Sequence, residues 1–190
     1  SSPTWQDAGG GNWEVITDAN FTNAANLTVT VYKNYTYRII ITDCMLPETG
    51  TASARLDFYM MNASSGYESG RTTGLRTSGG TTFQASSTST SSTFRTGYST
   101  NIYKKNNDRK SANFDFWFHQ GQTNSYYNWA TFYVRAWGQQ HSNTAFPWND
   151  HAYGYQNSNN GQEVRYIRFF GGSGTNYYLS GRYKVMRIIG

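Results

Sequence analysis

In Asn113-Phe114-Asp115-Phe116-Trp117-Phe118-His119 every second residue is phenylalanine. An extended chain turns Phe114, Phe116 and Phe118 to one side, and Asn113, Asp115, Trp117 and His119 to the other. A helix, with its 3.6-residue repeat, would scatter the three rings around its axis. The segment therefore reads as a β-strand with one buried face.

The same period runs through most apolar stretches. Leu27, Val29 and Val31 alternate with Thr28 and Thr30, and after a break at Lys33-Asn34 come Tyr35, Tyr37, Ile39 and Ile41. Leu56, Phe58 and Met60 alternate with Arg55, Asp57 and Tyr59; Ala130, Phe132, Val134 and Ala136 alternate with Thr131, Tyr133 and Arg135. Two more runs, Val164 to Phe170 and Arg182 to Ile189, close the chain. Turn-rich segments such as Ser64-Ser65-Gly66 and Gln120-Gly121-Gln122 separate them, and no window shows a capped amphipathic helix. The pattern predicts an all-β chain, an antiparallel two-sheet sandwich of jelly-roll-like type with long Ser/Thr-rich and aromatic loops. Asp57 and Asp115 fall in the polar phase. They are expected to face solvent opposite a cross-strand arginine such as Arg55, Arg135 or Arg165.

A chain of 190 residues fits one β domain, here 1–190 with an N-terminal arm over 1–12. Aromatic residues make up 17% and charged residues only 14%, so the polar surface is built from Ser, Thr, Asn, Gln and Gly. Ser64 to Thr100 is dense in Ser, Thr and Gly. As a linker it would leave flanks with too few strands to close a sandwich. It reads instead as a long excursion within the domain, with one edge strand around Thr96 to Tyr103. A second candidate loop runs from Gln139 to Asn160.

The net charge of +5 raises a nucleic-acid partner, but the basic residues are dispersed. The densest group, Lys104, Lys105, Arg109 and Lys110, is broken by Asp108 and reads as a solvated hairpin tip. No nucleic-acid site is expected, since that needs a basic face with ordered stacking aromatics. Cys44 is the single cysteine; it excludes an intrachain disulfide and reads as a small buried residue. No run approaches the length of a membrane-spanning helix, and no signal-peptide pattern opens the chain.

Chemistry is thinly signalled. His119, His141 and His151, with Asp150 beside the last, lack the close ligand spacing of zinc sites. Paired carboxylates facing a cleft, a nucleophile elbow and a phosphate loop are not evident, so the expectation is no catalytic, cofactor or metal site. Tyr177-Tyr178-Leu179-Ser180-Gly181-Arg182-Tyr183-Lys184-Val185 is similar to a strand of jelly-roll alginate lyases, and Gln139-Gln140-His141 to another of their elements. Leu179 and Val185 depart from that motif where it carries Lys and Gln. A polysaccharide lyase using Tyr183 and His141 is thus a distant reading. The loop from Gln139 to Asn160 sets Phe146, Trp148, Asp150, His151, Tyr153 and Tyr155 among Asn and Gly. Aromatic platforms with a few polar groups suit a glycan or a protein partner. These six residues are the candidate binding site.

The two ends carry a resemblance. Trp13-Glu14-Val15-Ile16 opens the domain, followed by Leu27-Thr28-Val29-Thr30-Val31-Tyr32-Lys33-Asn34-Tyr35. It closes with Val164-Arg165-Tyr166-Ile167-Arg168-Phe169-Phe170, a Gly-rich turn, Ser180-Gly181-Arg182-Tyr183-Lys184-Val185 and Ile188-Ile189-Gly190. This order resembles β-sandwich surface proteins of tailed-bacteriophage virions: tail fibres, head fibres and capsid decorations. The likeness covers the two ends, roughly half of the chain. It implies a non-enzymatic virion structural and attachment protein on the particle exterior, a homo-oligomer with a trimer favoured. Its partners would be other virion proteins and a host-surface glycan. The alternative is a carbohydrate-binding module of a secreted protein, using Trp148 and Tyr153.

Overall fold

The computed structural model describes residues 12–45, 53–78, 81–91, 93–96, 101–103, 112–121, 130–139, 147–156, 162–171 and 178–189. These residues form β-strands joined by turns. In chain order they are β1 (Asn12–Ala24), β2 (Leu27–Thr30), β3 (Thr36–Met45), β4 (Ser53–Met61), β5 (Tyr67–Glu68), β6 (Gly70–Ser78) and β7 (Thr81–Ser91). There follow β8 (Phe94–Arg95), β9 (Asn101–Tyr103), β10 (Ala112–Gln120), β11 (Ala130–Gln139), β12 (Pro147–Gln156), β13 (Tyr166–Gly171) and β14 (Leu179–Ile189). Among the described residues there is no helix long and apolar enough to cross a membrane.

The strands build two antiparallel sheets. The larger has the order β1-β14-β3-β10-β11-β12-β6-β7. The smaller runs β2-β13-β4-β5, and β8 and β9 pair with β4 beside β5. The chain passes repeatedly between the two, and the packed pair forms the expected β-sandwich. Alternation sets the core. Ile39, Ile41, Phe114, Phe116, Phe118, Phe132 and Val134 of the large sheet face Val29, Leu56, Phe58, Met60, Ile167 and Phe169 of the small one, all buried. Phe58 is the hub: its ring lies 4.9 Å edge-on from both Phe116 and Phe132, 5.3 Å stacked on Phe94 and 5.8 Å from Phe169. Edge-to-face pairing of this kind adds to the burial of large apolar area.

Two expectations are corrected. The segment from Ser64 to Thr100 is no loose excursion; it holds β5, β6, β7 and β8, and β6 and β7 form one edge of the large sheet. Ladder hydrogen bonds come from the backbone, so a Ser/Thr-rich segment with no apolar alternation can still add strands to an existing edge. Asp57 does not face solvent but is buried. β4 is flanked on both sides, and Asp57 stands in register with Phe170, itself buried, and with Arg95. Alternation says which residues share a face, not whether that face stays open.

A polar tie also crosses the sandwich. The Asn62 carboxamide oxygen accepts from the Ser64 and Gly66 amides, at 3.0 and 2.9 Å, and pins a turn in which Ser65 has φ 61°. Its amino group donates to buried Glu68 at 3.0 Å, and Gln156 of β12 donates to the other Glu68 oxygen at 2.8 Å. One carboxylate thereby joins the small sheet to the large.

Candidate binding surface

The six candidate residues do not form one loop. Phe146 lies outside the described residues, as do His141 and the Lys104–Lys110 cluster. The rest belong to β12, an interior strand of the large sheet. Trp148 pairs in register with Gly138 and Ser78, while its side chain is outside the description. Asp150 turns inward and is fully buried, whereas His151, Tyr153 and Tyr155 share the outer face. The period of two splits them: Asp150 differs from the other three by an odd number of residues. Tyr183, the residue suggested by the lyase motif, is half-buried against the core, with its ring 6.0 Å edge-on from Phe21.

The strand registers bring a wider set together. One row crosses the whole large sheet: Val15, Met186, Arg38, Trp117, Tyr133, Tyr153, Thr73 and Ser86 are successive Cα partners. The next row includes Ile40, Asp115, Arg135 and His151. Adjacent strands lie about 4.8 Å apart. Residues far apart in sequence thus become near neighbours on the outer face.

Two halves of this face differ in character. Toward β3, Arg38 grips Asp115 through Nε–Oδ1 at 2.8 Å and Nη2–Oδ2 at 2.9 Å. The same guanidinium lies 4.9 Å from the centre of Trp117, and Trp13 meets Trp117 edge-on at 5.5 Å. The expected arginine partner of Asp115 is therefore Arg38, one row away diagonally, rather than Arg135. Toward β12 the rings are open: Tyr133 is 40%, Trp137 37% and Tyr153 55% exposed. Here the Tyr133 hydroxyl meets His151 Nδ1, and Arg135 sits 5.6 Å from the centre of Trp137 while Nε donates to Asn149 at 3.4 Å. Partial burial, then Arg135, hold the His151 imidazole below its ordinary pKa, against the pull of Asp150. A neutral ring with Nδ1 accepting from Tyr133 keeps Nε2–H as a donor.

Tyr133, Arg135 and Trp137 were absent from the candidates drawn from sequence. Their signal was present: Trp117, Tyr133, Trp137 and Tyr153 are large aromatics in the solvent phase of strands whose other phase fills the core. A shallow depression of about 280 Å³ at the other end of the face is bounded by Asp18, Ile40, Arg182 and Lys184, and Arg182 is already paired with Asp18 at 2.9 Å. Among the described residues no three His, Cys, Asp or Glu side chains gather as metal ligands would. No protein-family model matches this chain, and no curated protein or solved structure shows significant similarity to it.

Proposed function

We propose that this chain is a non-enzymatic attachment and assembly domain on the exterior of a particle, of the fibre or capsid-decoration kind carried by tailed bacteriophages. It engages its target through the outer face of β10, β11 and β12. The observation that carries the reading is the cluster of exposed rings at Tyr133, Trp137 and Tyr153 on interior strands of the large sheet. The core does not need them, since the opposite side chains of the same strands already fill it. Exposed rings gathered on one face outside the core, rather than scattered singly over the surface, point to an interaction site. The resemblance at the chain ends supports the virion setting, and those ends are neighbours in space: β1 pairs with β14 from Asn12 opposite Ile189 to Ala24 opposite Leu179.

Light scattering on a size-exclusion column tests the assembly part. A trimer of the 21.5 kDa chain, stable to dilution, is expected. A monomer at every concentration would end the assembly reading and leave the second one, a carbohydrate-binding module of a secreted protein, which the same aromatic face favours. Incubation with uronate polymers is expected to leave ultraviolet absorbance flat; a steady rise would show lyase activity and overturn the non-enzymatic reading.

A further inference from the structure

We infer that the outer face of β10–β12 takes an acidic glycan, a saccharide carrying ring carboxylates, with a carboxylate on Arg135 and sugar faces on Tyr133, Tyr153 and Trp137. This deepens the proposed function and rests on its choice of contact face.

Three observations select this partner. First, the described outward positions of β10, β11 and β12 carry no Val, Leu, Ile or Met, only aromatic rings and hydrogen-bonding side chains. A protein interface core shares the Tyr, Trp and Arg but is otherwise depleted of charge and keeps its polar groups at the rim, whereas this face sets Asp115, Asn149, His119 and His151 between its rings. Sugars instead present apolar ring faces edged by hydroxyls, which suit rings interleaved with amide, imidazole and guanidinium groups.

Second, the charges do not cancel. Both oxygens of Asp115 are held by Arg38. Among the described residues Arg135 has no carboxylate within ion-pair distance, and only its Nε donates, to Asn149. Its terminal N–H groups remain as a planar fork of the kind that binds carboxylates through two parallel hydrogen bonds.

Third, the donors and rings are held in place before any ligand arrives. Arg135 stacks on Trp137, and His151 is fixed by the Tyr133 hydroxyl. Little side-chain freedom is then lost on binding. From Tyr133 to Trp137 the strand advances about 14 Å, enough to underlie more than one sugar ring.

The test is calorimetric titration of the intact chain with two acidic probes and their neutral counterparts: hexagalacturonate against its methyl ester, and sialyllactose against lactose. These separate a uronate polymer from a sialylated glycan as the source of the carboxylate. At least one acid is expected to bind about tenfold more tightly than its neutral counterpart. Arg135→Gln should erase that preference, and Arg135→Lys should keep part of it. Tyr153→Ala should weaken acid and neutral ligand alike. Both positions are exposed, and unchanged thermal unfolding would show that the variants fold. No preference for either acid, or a preference that survives Arg135→Gln, would overturn the inference. A trimer that binds neither acid ends this inference alone; a monomer that binds one ends the assembly reading alone.

Discussion

The Tyr133 hydroxyl and the His151 imidazole nitrogen Nδ1 meet at 2.5 Å across β11 and β12. Because burial and Arg135 lower the His151 pKa, the unfolded chain takes up a proton at this residue before the folded one does. The unfolded state binds more protons just below the ordinary imidazole value of 6.5, so stability is full above it and falls as pH drops through the lowered value. Melting temperatures at several pH values check this. The native chain should lose stability between pH 7.5 and 5.5 by more than His151→Gln does. Parallel losses would mean that His151 does not titrate in this way.

Phe58 touches four rings drawn from both sheets. Phe58→Ala should destabilise the fold by about 3–5 kcal/mol, through lost transfer energy and the cavity left behind. Tyr153→Ala, a truncation of similar size at an exposed position, should stay within about 0.5 kcal/mol. Urea denaturation of the two variants measures the contrast.

Glu68 accepts from two amino groups whose orientations are fixed elsewhere. Asn62 is held by the Ser64 and Gly66 amides, and Gln156 Nε2 also donates to the Gln162 carbonyl at 3.0 Å. Glu68→Gln keeps the shape but turns an amino group toward one of these donors. A loss of about 1–3 kcal/mol is expected from a buried donor left unsatisfied. A variant as stable as the native chain would show that this bridge contributes nothing.

Gly70 begins β6 where the backbone approaches β12 closely. A Cβ at this position would lie 2.1 Å from the Tyr155 carbonyl oxygen and 2.8 Å from the Phe94 ring. Gly70→Ala should cost about 1–3 kcal/mol by overpacking and loosen the β6–β12 ladder. Faster amide hydrogen exchange at the start of β6 than in the native chain is the expected signature.

Cys44 is buried, and desolvation pushes its thiol pKa up to about 12. The thiolate is the reactive form, so the native chain should react negligibly with a thiol reagent at neutral pH. Unfolding should release one reactive thiol per chain, and a stoichiometric reaction of the folded protein would contradict this burial.

Much of the fold was legible as text because burial on strands repeats every two residues. Phe114, Phe116 and Phe118, or Phe132 and Val134, can be assigned to the core without knowing what packs on them. β6 and β7 were not legible, since their Ser, Thr and Gly residues carry no alternation and join through main-chain groups at an open edge. The candidate face is half legible: the aromatic stretch points to His151, Tyr153 and Tyr155, while Tyr133 and Arg135 read as the ordinary polar phase of a strand. Asp115 reads as outward, yet its partner Arg38 lies 77 residues earlier in the chain.

The sequence by itself determined strand character, the inward and outward phase of each apolar run, and the isolation of a single cysteine. These follow from side-chain chemistry and a local repeat. Only the tertiary structure decided which strands are neighbours, that Asp57 is enclosed while Tyr153 stays open, and that Trp117, Tyr133 and Tyr153 fall on one row. The local pattern fixes which face of a strand must be buried, but which distant strand lies beside it is settled only when the buried faces pack together.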